Sequence, residues 1–182
     1  MSAFNSELDR LLLSQAVSES EIIEFLLTNC YADLRHLASN ILQDADDAED
    51  AAQEALIAAV SKLDRYQPGT NFKAWLYTIA VNICRGYLRK RKVRHNLHRM
   101  LTGLFYLSDL TPSIEEQVLQ GETEVHLWQS VNRLGEKHRL PILLRYLHGL
   151  SNQEIAQVIG IHEGTVRSRL HYALRELQKR LK

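Results

Sequence analysis

A chain of 182 residues has room for one domain or two small ones, and with only 8 Gly and 3 Pro it is too poor in turn formers for anything but an almost wholly helical, all-α protein. Its 22 basic and 22 acidic residues cancel to a formal charge of zero, which excludes a uniformly basic nucleic-acid binder and makes the distribution of charge the informative quantity. No apolar run is long enough to span a bilayer and no basic-then-apolar signal opens the chain, so a cytoplasmic protein without membrane insertion is expected. Cys30 and Cys84 fit no metal-ligand spacing and lie in apolar helical contexts, which reads as reduced core residues. No nucleophile–base pair, phosphate-binding glycine loop or histidine cluster is present, so neither enzyme activity nor a metal or cofactor is expected.

In chain order, Phe4, Leu8, Leu11 and Leu12 give residues 1–17 a short amphipathic pattern, an N-terminal extension of unassigned role. Ser18-Glu19-Ser20-Glu21 is a capping box that starts a helix reaching about Leu42, with Ile22, Phe25, Leu26, Leu34, Leu37 and Ile41 on its core face. Six carboxylates follow between Asp44 and Glu54. The spacing of Ala48, Ala51, Ala52, Ala55, Leu56, Val60 and Leu63 predicts a helix here. Asp47, Asp50 and Glu54 then share one exposed face of it. Acidic residues in a first turn suit the helix dipole, but repetition along the face also suits docking of a basic protein.

Tyr66-Gln67-Pro68-Gly69-Thr70-Asn71 reads as a loop, followed by a helix from Phe72 to about Arg94. Phe72, Leu76, Ile79, Ala80 and Ile83 form its buried side. Thr78, Asn82, Arg85, Arg89 and Lys92 make a polar and basic stripe on another. Residues 65–108 contain no acidic residue while nine lysines and arginines fall within them, Arg91 and Arg94 included. The zero net charge therefore hides an acidic helix beside a cationic one. A single-sign block of this kind attracts polyphosphate. Tyr66, Phe72, Trp75 and Tyr77 beside it are either core or a surface on which unpaired bases stack.

Residues 96–121 lose periodicity and read as a linker between units 18–95 and 122–182, although residues 104–107 are apolar enough to dock on something. A helix resumes at Glu122 and breaks near Gly135. Another spans roughly residues 136–147, with Pro141 early in it.

Ser151-Asn152-Gln153-Glu154 is a second capping box, and the short helix it opens is stopped by Gly160. A longer helix from about Gly164 to Leu181 carries Val166, Leu170, Leu174 and Leu177 as its apolar stripe. Ala156, Gly160 and Val166 stand at the small, glycine and β-branched positions of a helix-turn-helix. The outward face of its second helix holds Arg167, Ser168, Arg169, His171, Tyr172 and Arg175, hydrogen-bonding side chains near the end that meets base edges in a major groove. A dimeric helix-turn-helix regulator with an N-terminal sensor or dimerisation domain would explain this part of the chain equally well, but leaves the acidic and basic helices without a purpose.

Three blocks in order resemble the extracytoplasmic-function (ECF) sigma factors of bacterial RNA polymerase: Asp46-Asp47-Ala48-Glu49-Asp50-Ala51-Ala52-Gln53-Glu54, then Phe72-Lys73-Ala74-Trp75-Leu76-Tyr77-Thr78-Ile79-Ala80-Val81-Asn82, and last Gly149-Leu150-Ser151-Asn152-Gln153-Glu154-Ile155-Ala156 with Gly164-Thr165-Val166-Arg167-Ser168-Arg169-Leu170. The resemblance covers about residues 20–94 and 122–180. It implies two small helical domains on a flexible linker, which bind core RNA polymerase at its β′ coiled coil and β flap, together with promoter DNA and an anti-sigma factor. Asp47, Asp50, Gln53 and Glu54 would dock on the β′ coiled coil. The loop Tyr66 to Asn71 would take a flipped base of the single-stranded −10 element, with Asn82, Arg85 and Arg89 on the strand and Arg91 and Lys92 on phosphates. Arg167 and Ser168 match −35 base or backbone contacts, and Arg145 and Thr165 match phosphate contacts, with Arg169, His171 and Tyr172 on the same face. Three departures stand out. Gly86 replaces a common acidic residue, at a helix cost of about 1 kcal/mol against alanine, Gly135 replaces a frequent proline, and Tyr172 replaces an arginine of some members.

Overall fold

The computed structural model describes Arg10, residues 18–102 and residues 122–181. The expected N-terminal pattern at residues 4–12 and the apolar run at residues 104–107 lie outside them. Among the described residues there are seven α-helices and no strand. Helices α1 (Glu19–Leu42), α2 (Ala45–Val60) and α3 (Phe72–Thr102) form a first bundle, with a 3-10 turn at Leu63–Arg65 before the loop into α3. Helices α4 (Glu122–Asn132), α5 (Glu136–Ile142), α6 (Asn152–Ile159) and α7 (Glu163–Arg180) form a second.

The starts of the helices follow from their caps. Ser18 Oγ accepts from the Glu21 amide while the Glu21 carboxylate accepts from the Ser18 amide at 2.8 Å, the reciprocal box read in the sequence. That contact, to the backbone first and the hydroxyl second, holds the Glu21 carboxyl below the ordinary glutamate range. Asp44 caps α2 by accepting from the Asp47 amide at 2.9 Å, and Asn71 caps α3 by accepting from the Ala74 amide at 3.1 Å. Helix α1 ends on Gln43 in the left-handed region, φ 54°. Helix α3 runs eight residues beyond Arg94, where the hydrophobic pattern fades, because residues 95–102 carry no proline or glycine to stop it.

Alanine decides the packing of α2. Ala48, Ala51, Ala52, Ala55 and Ala59 are all buried, so α1 and α3 approach its backbone closely. Leu26, Leu34, Leu37, Phe72, Tyr77 and Val81 fill the rest of this core, and the buried thiols Cys30 and Cys84 sit within it, unpaired and raised to about 12 by burial. In the second bundle Leu143, Leu144, Ile155, Val158, Val166 and Ala173 are almost inaccessible. Two sequence expectations change here. Leu174 is 39% exposed, and Ala173 takes the inward position between Leu170 and Leu177. The helix expected over residues 136–147 is α-helical only to Ile142 and then widens into a π turn at Leu143–Leu147, closed by the His148 amide on the Leu143 carbonyl at 3.3 Å.

Candidate nucleic-acid interface

The helix-turn-helix is built as its steric signature predicts. Ser151 Oγ accepts from the Glu154 amide at 3.2 Å and Glu154 accepts from the Ser151 amide at 2.6 Å. Gly160 ends α6 at φ 75°, a conformation that costs a residue with a Cβ strain and glycine none. Val166 is fully buried between α6 and α7. Thr165, Arg167, Ser168, His171 and Tyr172 all face outward on α7. Arg167 pairs with Glu163 one turn back at 3.0 Å, which holds its guanidinium extended at the N-terminal end of the helix, and Ser168 bonds the Gly164 carbonyl. Tyr172 stacks on His138 of α5, ring centroids 4.3 Å apart, so its ring is fixed rather than free. Arg145 braces the turn before α6 by donating to the Leu150 carbonyl at 2.9 Å. Arg169 is half-buried and lines the cleft toward the first bundle instead of the open face.

On α2, Asp46, Asp50, Gln53 and Glu54 are exposed. Glu49 lies behind them, accepting from Tyr31 and from Gln53, and those two bonds hold its carboxyl below the usual range. Asp47 is turned inward to Arg91, which also reaches Asp44 at 3.5 Å and donates to the Leu42 carbonyl at 3.1 Å. The two oppositely charged helices are thus stitched together at Arg91. No carboxylate of the described residues pairs with Arg89 or Lys92, both exposed on α3. Lys73 is paired with Asp33.

The aromatics at the loop belong to the core. Phe72 is fully buried against Tyr66 and Trp75, with ring centroids 5.1 and 5.3 Å away, and the Tyr66 hydroxyl donates to the Thr70 carbonyl within the loop. Only Trp75 keeps a partly open edge.

What the sequence did not signal is that the second bundle sits on this surface. The Asn71 side-chain amide donates to Glu154 of the helix-turn-helix. Arg85 pairs with Glu136 at 3.5 Å and reaches the Ile159 carbonyl. Arg139 of α5 donates to the Ile41 carbonyl at the end of α1, at 2.6 Å. Tyr77 and His148 share a hydrogen bond at 3.1 Å, and burial, then His36 and Lys73, lower His148 to about 4 against the pull of Asp33. These pairs are separated by 51 to 98 residues, so no local pattern announces them.

Comparison with known proteins follows the same division. Residues 26–94 match the family model of Sigma-70 region 2 and residues 126–177 that of Sigma-70, region 4. The chain is 31% identical to the ECF RNA polymerase sigma factor SigW of Bacillus subtilis, over 86% of this chain and 87% of that protein. It is 34% identical to the RNA polymerase sigma-H factor of Pseudomonas aeruginosa, over 80% and 78%. Among solved structures it is similar to the sigma factor RpoE in complex with the anti-sigma factor NepR from Bartonella quintana, with TM-score 0.66 and 28% identity over 85% of this chain and 93% of that one. An acidic helix, a basic helix and a helix-turn-helix, matched in order to regions 2 and 4, place this chain among the ECF sigma factors, the promoter-recognising subunits of RNA polymerase.

Proposed function

We propose that the chain initiates transcription by dividing its two targets between adjacent helices of region 2, while region 4 reads duplex DNA. Asp50, Gln53 and Glu54, with Asp47 at their edge, dock on the β′ coiled coil of core polymerase. Asn82, Arg89 and Lys92 on α3 follow the single-stranded −10 element. Arg167 and Ser168 on α7 enter the −35 major groove, Thr165 and Arg145 flank them on phosphates, and His171 and Tyr172 border the same groove. Region 4 also meets the β flap. The protein works by binding and not by chemistry, in the cytoplasm, and an anti-sigma factor of the kind seen with the Bartonella relative is its expected restraint.

The observation that carries this reading is the segregation of charge on neighbouring rods: exposed carboxylates along α2, and on α3 the cations Arg89 and Lys92, which pair with no carboxylate among the described residues. Its corollary concerns Asn71 and Arg85. Both are engaged by region 4, so the closed arrangement covers the loop end of the −10 surface, and promoter opening requires region 4 to lift away. Binding of a fluorescent bubble oligonucleotide by the reconstituted holoenzyme, measured across salt concentrations, tests the assignment. Each of Arg89→Ala and Lys92→Ala should flatten the slope of log K against log salt by about 0.7, the single-strand value per phosphate. Unchanged slopes would refute the strand assignment.

A further inference from the structure

Arg85 belongs to the basic stripe of α3 and Arg169 to the second helix of the helix-turn-helix, yet both line one cleft between the two bundles. Glu136 and Lys137 of α5 line it with them, in a volume of 170 Å³. Drug-sized sites begin at roughly 300 Å³, so this one suits a compact occupant. The remaining walls are the apolar side chains of Leu140, Pro141 and Ile159, all buried, which lessens the screening of any charge held there.

Charge in the cleft does not balance. Three cations meet one carboxylate, an excess of two positive charges. Arg85 Nε pairs with Glu136 at 3.5 Å, and its Nη1 donates to the Ile159 carbonyl at 3.5 Å. Both contacts are long, and they leave guanidinium donors to spare. Lys137 and Arg169 pair with no carboxylate among the described residues. Arg85 stands on one bundle and the other two cations on the other, so their repulsion acts across the contact and opposes closure. A multivalent anion would reverse its sign. Guanidinium forks match phosphate oxygens in geometry, and an ammonium adds a point charge.

Resting on the closed arrangement described above, we propose that this cleft is a site for a small phosphate anion, free phosphate or diphosphate, held by Arg85 of region 2 and by Lys137 and Arg169 of region 4. Its ligands come from both bundles, so the complete site exists only when they are closed. A ligand that binds one of two states draws the protein toward that state. At ten times its Kd the anion raises the closed-to-open ratio about elevenfold. It thereby keeps region 4 over Asn71 and Arg85 without touching Arg89 or Lys92.

The test uses the full chain with one dye on each region, titrated with potassium phosphate or potassium diphosphate at an ionic strength held constant with chloride. Each anion should shorten the dye separation in a saturable way and raise the melting temperature, diphosphate at the lower concentration. Lys137→Gln and Arg169→Gln should each raise the concentration required about tenfold, the scale of one lost charge-assisted hydrogen bond. Before any anion is added, both variants should be as closed as the parent or more so, because each removes a repelling charge. Variants more open than the parent at that point would make Lys137 and Arg169 mere braces of the contact and overturn the proposal. Variants that respond like the parent, or a parent that does not respond, would overturn it too. Sulfate at the same ionic strength is the control, and an equal response to it would mean an adventitious ion only. The salt slopes of the holoenzyme, measured in chloride without phosphate, test the strand assignment separately, so either reading can fail alone.

Discussion

Two arginines show how one residue type takes different work from its surroundings. Arg91 and Arg139 cap consecutive carbonyls, Leu42 and Ile41, at the C-terminal end of α1, where the last turn of a helix leaves acceptors without intrahelical donors. Arg91 comes from the same bundle, Arg139 from the other. Arg91→Met should therefore lower the stability of region 2 itself, whereas Arg139→Met should leave both bundles folded and weaken only their contact. Loss of a charge-assisted hydrogen bond of this kind costs about 1.5–3 kcal/mol. A donor–acceptor dye pair, one on each region, should report a larger mean separation for Arg139→Met at unchanged helical content. On α7, Arg167→Ala removes the side chain best placed to meet a guanine edge. It should cost about 1–3 kcal/mol of discrimination between promoters, measured by competition among −35 variants. A uniform loss across all variants would instead make Arg167 a phosphate contact.

Among the elements, α1, α2, α6 and α7 were legible because their signals are local. Capping boxes at Ser18 and Ser151, the αL glycine at position 160 and the alanine period of α2 each act within one or two turns. The end of α3 was not legible, since a solvated helix without a breaker looks like a loop once its apolar stripe stops. The π turn after Pro141 was missed for a related reason: Leu143 and Leu144 within it are buried in the core, a tertiary contact that no local pattern announces. The alanine face of α2 gives a direct prediction. Ala52→Leu inserts a larger side chain where three helices meet, and should lower stability by about 1–3 kcal/mol in chemical denaturation. Insertion without loss would mean that α1 and α2 are looser than they look.

For the whole molecule, charge segregation was readable but closure was not. The contacts Asn71–Glu154, Arg85–Glu136 and Tyr77–His148 join residues that the chain keeps far apart, and each looks like an ordinary surface group until the bundles meet. Closure carries its own pH dependence. His148 is buried against Tyr77, with His36, Lys73 and Asp33 around it, and its value falls from 6.5 to about 4. The closed form binds fewer protons than the open form between those two values. Closure is accordingly at full strength above pH 6.5 and weakens as the pH drops toward 4, by about 3 kcal/mol over the window. The dye-pair separation should grow across that range, and His148→Gln should remove most of the growth.

The most direct measurement is transcription from fragmented genomic DNA by purified core polymerase with this chain alone, with the 5′ ends of the transcripts sequenced. Core polymerase with the parent chain should give a discrete set of start sites sharing −35 and −10 sequences. The double variant Asp50→Lys, Glu54→Lys, still helical, should give none of them and bind core weakly. Start sites that persist undiminished with the double variant, or that core produces without the chain, would contradict the division of labour between the acidic and basic helices.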